Sequence, residues 1–91
     1  MSNDTIKMPK RFDYSSGAEF NAAISAAAQQ NQAITLDCTY MDYLDSAGIG
    51  LLVMANKKVQ EKNAKLVMVN LNTAPREILQ LANLQKIIEI K

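Results

Sequence analysis

The chain has 91 residues, 48% of them apolar, and 10 basic against 9 acidic side chains leave a net charge of +1. That length suits one small domain with a thin core, and the near-neutral balance, with no basic cluster interleaved with aromatics, argues against nucleic acid as a partner. One cysteine, Cys38, and no histidine exclude a disulfide framework or a Cys/His zinc site within one chain and remove the usual general base.

The N-terminal stretch "MSNDTIKMPKRF" has no apolar signal core. The longest small-and-apolar run, Ala47 to Ala55, is far short of the ~20 residues that span a bilayer. The expectation is a soluble cytoplasmic domain without direct membrane insertion. In "TIKMPKRFDY", Ile6, Met8, Phe12 and Tyr14 alternate with an interruption at Lys10, the pattern of a strand that Pro9 confines to an edge or a bulge. "SSGAEFNAAISAAAQQ" reads as a helix. Ser16 and Glu19 fit a capping box, and Phe20, Ala23, Ile24 and Ala27 then share one face. Its alanines raise helix propensity. Gln30 to Gln32 form a polar break.

"AITLDCTY" alternates Ile34, Leu36 and Cys38 against Thr35 and Asp37, a short strand in which Cys38 reads as a small buried hydrophobe. After the segment "MDYLDSAGIG" comes a helix, "GIGLLVMANKKVQEKN", with Ile49, Leu52, Val53 and Val59 near one face. Lys57, Lys58 and Lys62 crowd its far end, where cations suit the helix dipole, and Lys57 and Lys58 read as solvated. "AKLVMVNL" is apolar without alternation, the mark of a strand covered on both faces. "NTAPREILQLAN" predicts a last helix, with Thr73 near its cap and Pro75 in its first turn. "LQKIIEIK" closes the chain as a short strand. The order β-α-β-α-β-α-β implies one compact α/β domain over residues 1–91, with mostly parallel pairing and right-handed crossovers. Its mixed, mostly parallel sheet has four strands, beside about three helices.

In such sheets, sites form where strands lead into helix N-termini, and "MDYLDSAGIG" is that kind of loop. Either Asp45 or Ser46 fits the N-cap, stabilising the helix by about 1 kcal/mol, with Gly48 and Gly50 allowing close packing. A phosphate-binding loop would need a third glycine or a lysine that "GIGLLV" lacks. A serine nucleophile would need a base, and no Ser-x-x-Lys spacing follows Ser46. With no metal-ligand set and no cofactor loop, neither an enzyme nor a cofactor is expected. Beside the plain cap, which is the simplest reading of the segment, the third functional reading is a phosphoacceptor serine on a docking surface. A helix N-terminus accommodates a phosphate, which adds about −1.5 to −2 charge and so alters binding without unfolding the domain. Met41 and Met54 either line an adaptable interface or fill the core. Tyr40 and Tyr43 either anchor a partner or support the loop.

The stretch from Ile34 to Ile90 resembles the STAS domain of bacterial anti-sigma factor antagonists. An apolar strand and a short acidic segment precede Asp-Ser-x-Gly-apolar-Gly at a helix start, and Asp45, Ser46, Gly48, Ile49 and Gly50 match that motif position by position. The tail "LANLQKIIEI" matches as well, and the likeness covers about residues 6–90. The resemblance implies partner switching. The unphosphorylated protein binds a serine-kinase anti-sigma factor or a related switch kinase, phosphorylation of Ser46 ends the complex, and a PP2C-like phosphatase restores it. Asp45 would help position the serine hydroxyl. The expected partner surface is Asp45, Ser46, Ala47, Gly48 and Ile49, with Met41 and Tyr43 contributing, on a monomer. Two features depart from the family. Only Phe12 and Asp13 of its Gly-Glu/Arg-Leu-Asp turn are kept, and the first strand reads as short or missing. Ala47 stands where many relatives carry a second hydroxyl, which leaves Ser46 as the motif's one acceptor. The alternative is a STAS regulatory subunit of a transporter, such as a lipid-trafficking ABC system, docking its nucleotide-binding subunit through the motif helix.

Overall fold

The computed structural model describes residues 3–30 and 33–91; two residues of the polar break, Asn31 and Gln32, lie outside them. A four-stranded sheet is built from β1 (Asn3–Lys7), β3 (Ala33–Asp37), β5 (Lys65–Val69) and β6 (Glu89–Ile90), in the order β1-β3-β5-β6. Every pairing in it is parallel. The first strand is therefore present, at the sheet edge, and Pro9 follows it rather than interrupting it. A second, two-stranded parallel ribbon pairs β2 (Arg11–Phe12) with β4 (Tyr43–Leu44). Among the described residues three α-helices connect the strands: α1 (Gly17–Gln30), α2 (Ser46–Glu61) and α3 (Thr73–Leu81).

Alternation places the core. Ile34, Leu36, Leu66 and Met68 stand side by side in register and are buried, and Phe20, Ile24, Ala27 and Ala28 of α1 and Leu52, Ala55 and Val59 of α2 belong to the same apolar cluster. Each large side chain removed from water this way contributes about 1.5–3 kcal/mol. Phe12 meets Phe20 edge to face, ring centroids 4.9 Å apart. Cys38 is buried among these groups, as its alternation suggested.

Three local expectations change. The residue that caps the first helical segment is Asp13, not Ser16. The Ser15 N–H donates to Asp13 Oδ1 at 3.0 Å, and the Asp13 N–H donates to Ser16 Oγ at 3.4 Å, around a 3-10 turn at Tyr14–Ser16 that feeds α1. Val53 faces solvent rather than the core, because the buried stripe of α2 runs Gly48, Leu52, Ala55, Asn56, Val59. The strand β5 is not covered alike on both sides. The far face of the sheet carries exposed Thr5, Lys7 and Lys65 and half-buried Thr35, Asp37, Val69 and Glu89. Val67 is buried there between its in-register neighbours Thr35 and Glu89. Among the described residues three are left-handed, all asparagine: Asn63 after α2, Asn70 after β5 and Asn83 after α3. At Asn63 the N–H groups of Asn63 and Ala64 return to the carbonyls of Gln60 and Val59, a Schellman ending in which asparagine replaces glycine.

Candidate functional site

The ribbon β2–β4 brings two helical starts together. Arg11 pairs with Tyr43 and Phe12 with Leu44, and the residue directly after each strand is an N-cap: Asp13 before the 3-10 turn and Asp45 before α2. Asp45 Oδ1 accepts the Gly48 N–H at 3.0 Å, and its carbonyl accepts the Ile49 N–H. The cap is thus Asp45. Ser46 is the first residue of α2, exposed, and its hydroxyl makes no hydrogen bond among the described residues. The carboxylate of Asp45 is occupied by Gly48 and by the Tyr43 hydroxyl, which donates to Oδ2 at 3.4 Å. Among the described residues no hydrogen bond joins it to the serine hydroxyl, and the part it is seen to play is the cap.

Gly48 explains the first glycine. A Cβ there would lie 2.6 Å from the Phe12 carbonyl oxygen and 2.7 Å from Leu44 Cδ1, so only glycine lets α2 sit down on the ribbon. Gly50 does not share that reason. A Cβ on it would meet nothing within 4 Å, and its face of the helix looks into solvent.

The remaining expected contributors divide by exposure. Ala47 is exposed, Ile49 is half-buried and packs on the core, and Tyr43 is 37% exposed. Met41 is corrected: it is 0% exposed and belongs to the core, where it supports the loop from beneath and offers no side chain to a partner. Its carbonyl and that of Thr39 accept the Asn72 amide at 2.9 and 3.1 Å, tying the loop to the start of α3. Met54, Lys57 and Lys58 lie exposed farther along α2, and Tyr40 is exposed on the loop. Asp37, at the end of β3, accepts from Thr39 and Asn70, which hold its carboxyl below the usual range.

The residues that periodicity did not assign to the site are Arg11 and the full role of Asp13. Arg11 Nε donates to Asp13 Oδ2 at 2.7 Å, and its guanidinium carbon lies 3.9 Å from the centre of the Tyr43 ring. Asp13 is only 5% exposed. Hydrogen bonds from Ser15 and then from Arg11 hold its carboxyl below the ordinary range. The visible signal was "RFD" two residues after Pro9, which carries a cation and an acid two apart, as adjacent positions on one side of an extended segment. Among the described residues no group of three or more His, Cys, Asp or Glu side chains is placed to hold a metal. No helix among them is long and apolar enough to cross a membrane.

The STAS domain family matches the chain over residues 3–91. A STAS-domain containing protein of Pseudomonas aeruginosa (strain UCBPP-PA14) is 27% identical over 86 residues, covering 94% of this chain and 85% of that protein. The anti-sigma-B factor antagonist of Listeria monocytogenes is 33% identical over 58 residues, 64% of this chain and about half (51%) of the relative. Among solved structures, the unphosphorylated anti-sigma factor antagonist SpoIIAA superposes with a TM-score of 0.81 at 17% identity, over 100% of this chain and 82% of that one. The phosphorylated form of the Bacillus protein SpoIIAA gives 0.73, also at 17% identity, over 100% and 85%. At that identity the structural likeness speaks for the fold.

Proposed function

The chain belongs to the STAS domain family, and on that premise we propose that it is an anti-sigma factor antagonist of the partner-switching kind, controlled at Ser46. It acts by binding and catalyses no reaction. Unphosphorylated, it docks a serine-kinase anti-sigma factor or a related switch kinase through the Ser46 loop and the outer face of α2. The kinase phosphorylates Ser46 and the complex is lost. A PP2C-like phosphatase restores the active form. One observation carries this reading: Ser46 is exposed at the first position of α2 and its hydroxyl has no hydrogen-bond partner among the described residues, while Asp45 does the capping. A serine with no duty to its own fold is free to be modified. The relative named an anti-sigma-B factor antagonist supports the same reading.

Incubation with the cognate kinase and ATP should add one phosphate, found at Ser46 by mass spectrometry. Calorimetry then separates two variants. An anion at a helix N-terminus is favoured by roughly 0.3–1 kcal/mol, and repulsion from Asp45 offsets part of that, so Ser46→Asp should melt within a few degrees of wild type. In the complex, an unpaired buried charge costs roughly 3–5 kcal/mol, and each 1.4 kcal/mol is about tenfold in affinity. Ser46→Asp should therefore weaken kinase binding by about two orders of magnitude or more, whereas Ser46→Ala binds near normally. Equal affinity of both variants rejects the switch and favours the transporter-subunit alternative, in which α2 is a constitutive dock. A phosphate on Ser15, Ser16 or Thr39 with Ser46 bare would also reject it.

A further inference from the structure

We propose that Arg11 is the residue that receives the phosphate on Ser46, so that the modified state is held by an arginine–phosphate pair within this chain. This rests on the reading of Ser46 as the modified residue. The guanidinium lies against the Tyr43 ring, and the hydroxyl of that ring reaches Asp45, the residue that precedes Ser46. The cation thus lies on the side of the β2–β4 ribbon that carries Asp13, Tyr43 and Asp45, one residue short of the serine.

The guanidinium is only partly engaged. Its Nε serves Asp13, whereas its two Nη groups donate no hydrogen bond among the described residues, and the side chain is 64% exposed. A planar fork with two free Nη groups is suited to bidentate contact with phosphate oxygens. The exchange leaves little behind uncompensated. If Arg11 turns to the phosphate, Asp13 keeps the Ser15 N–H at 3.0 Å and the Ser15 hydroxyl at 2.5 Å.

Charge makes the need specific. A phosphate on Ser46 sits next to the Asp45 carboxylate, with Asp13 capping the neighbouring turn, so a dianion would join two anions. Several other cations have partners of their own or lie far along α2. Lys10 lies 3.8 Å from Asp42, Lys65 and Lys91 serve Glu89, and Arg76 reaches the Lys91 carbonyl. Lys57 is eleven residues along α2 from Ser46, about 16 Å at the helical rise. The helix dipole alone is a partial charge and does not neutralise a dianion.

The test places phosphoserine at position 46 of the full chain by genetic encoding, with Arg11 kept, Arg11→Gln or Arg11→Lys. Phosphorus NMR then follows the second ionisation, near pH 6 for an unperturbed phosphoserine. With Arg11 present it should fall by about half a unit or more relative to Arg11→Gln, with Arg11→Lys between. The Nε–Hε signal of Arg11 should also move on phosphorylation while that of Arg76, the other arginine, stays. Identical ionisation in wild type and Arg11→Gln overturns the proposal, and the phosphate is then held by backbone N–H groups or water alone. If Arg11→Gln does not fold, a stationary Arg11 signal in the phosphorylated wild type overturns it equally. Encoding makes the outcome independent of the kinase. Failure of the kinase to modify Ser46 would reject the switch reading while the Arg11 measurement still stands as chemistry.

Discussion

Gly48 and Gly50 stand two residues apart in α2, and alanine at each should move stability in opposite directions. At Gly48 the new Cβ meets the Phe12 carbonyl oxygen at 2.6 Å, Leu44 Cδ1 at 2.7 Å and Phe12 Cδ2 at 3.0 Å. The leucine methyl can rotate aside. The carbonyl belongs to β2, whose Phe12 side chain is fully buried, so it yields only if the ribbon moves. Overpacking of this kind costs about 1–3 kcal/mol, and the better helix propensity of alanine returns up to about 1 kcal/mol. A net loss of up to about 2 kcal/mol remains, which lowers the melting temperature by roughly 4–8 °C for each kcal/mol. At Gly50 nothing lies within 4 Å of the added methyl, so only the propensity gain remains, and the melting temperature should rise by roughly 4–8 °C. Thermal denaturation followed by circular dichroism measures both. A Gly48→Ala protein that melts above wild type, or a Gly50→Ala protein that melts below it, refutes the packing argument. If the outer face of α2 is the dock, Gly50→Ala should also weaken partner binding while stabilising the free protein, since its methyl stands between the two surfaces.

Asp45→Ala should lose about 1 kcal/mol with the cap bond to Gly48, and Asp45→Asn should retain most of it; an unchanged melting temperature in Asp45→Ala would mean that Ser46 takes over the cap. Acid should destabilise the fold through Asp13 and Asp37, whose folded carboxyls lie below their ordinary range. Because the unfolded chain takes up these protons first, the stability they add is complete above about pH 4 and is lost as pH falls toward the lower folded values. Urea midpoints between about pH 5 and about pH 2 should fall steeply for wild type and less steeply for Asp13→Asn, and parallel slopes would contradict the assignment.

The element order was legible because each core segment keeps one period. Ile34, Leu36 and Cys38 alternate, Phe20, Ile24 and Ala27 recur at helical spacing, and all are buried where those periods place them. The Asp-Ser-x-Gly motif was legible for a similar reason: a cap and a small residue at fixed offsets are local requirements of a helix start. Periodicity could not tell that Val53 faces outward, since a stripe of apolar residues wider than the contact leaves its margin exposed. Nor could it separate Gly48 from Gly50, or Met41 in the core from a Met41 on the surface. Those differences belong to the two-residue ribbon β2–β4, in which residues 11–12 lie beside residues 43–44. Local sequence determined the helices, the central strands and a cap at Asp45 or Ser46. Only the tertiary structure decided that Asp45 is the cap, which neighbour crowds each glycine and which cation lies against Tyr43, because a parallel pairing of two distant dipeptides gains its stability from the core it closes and leaves almost no pattern in either one.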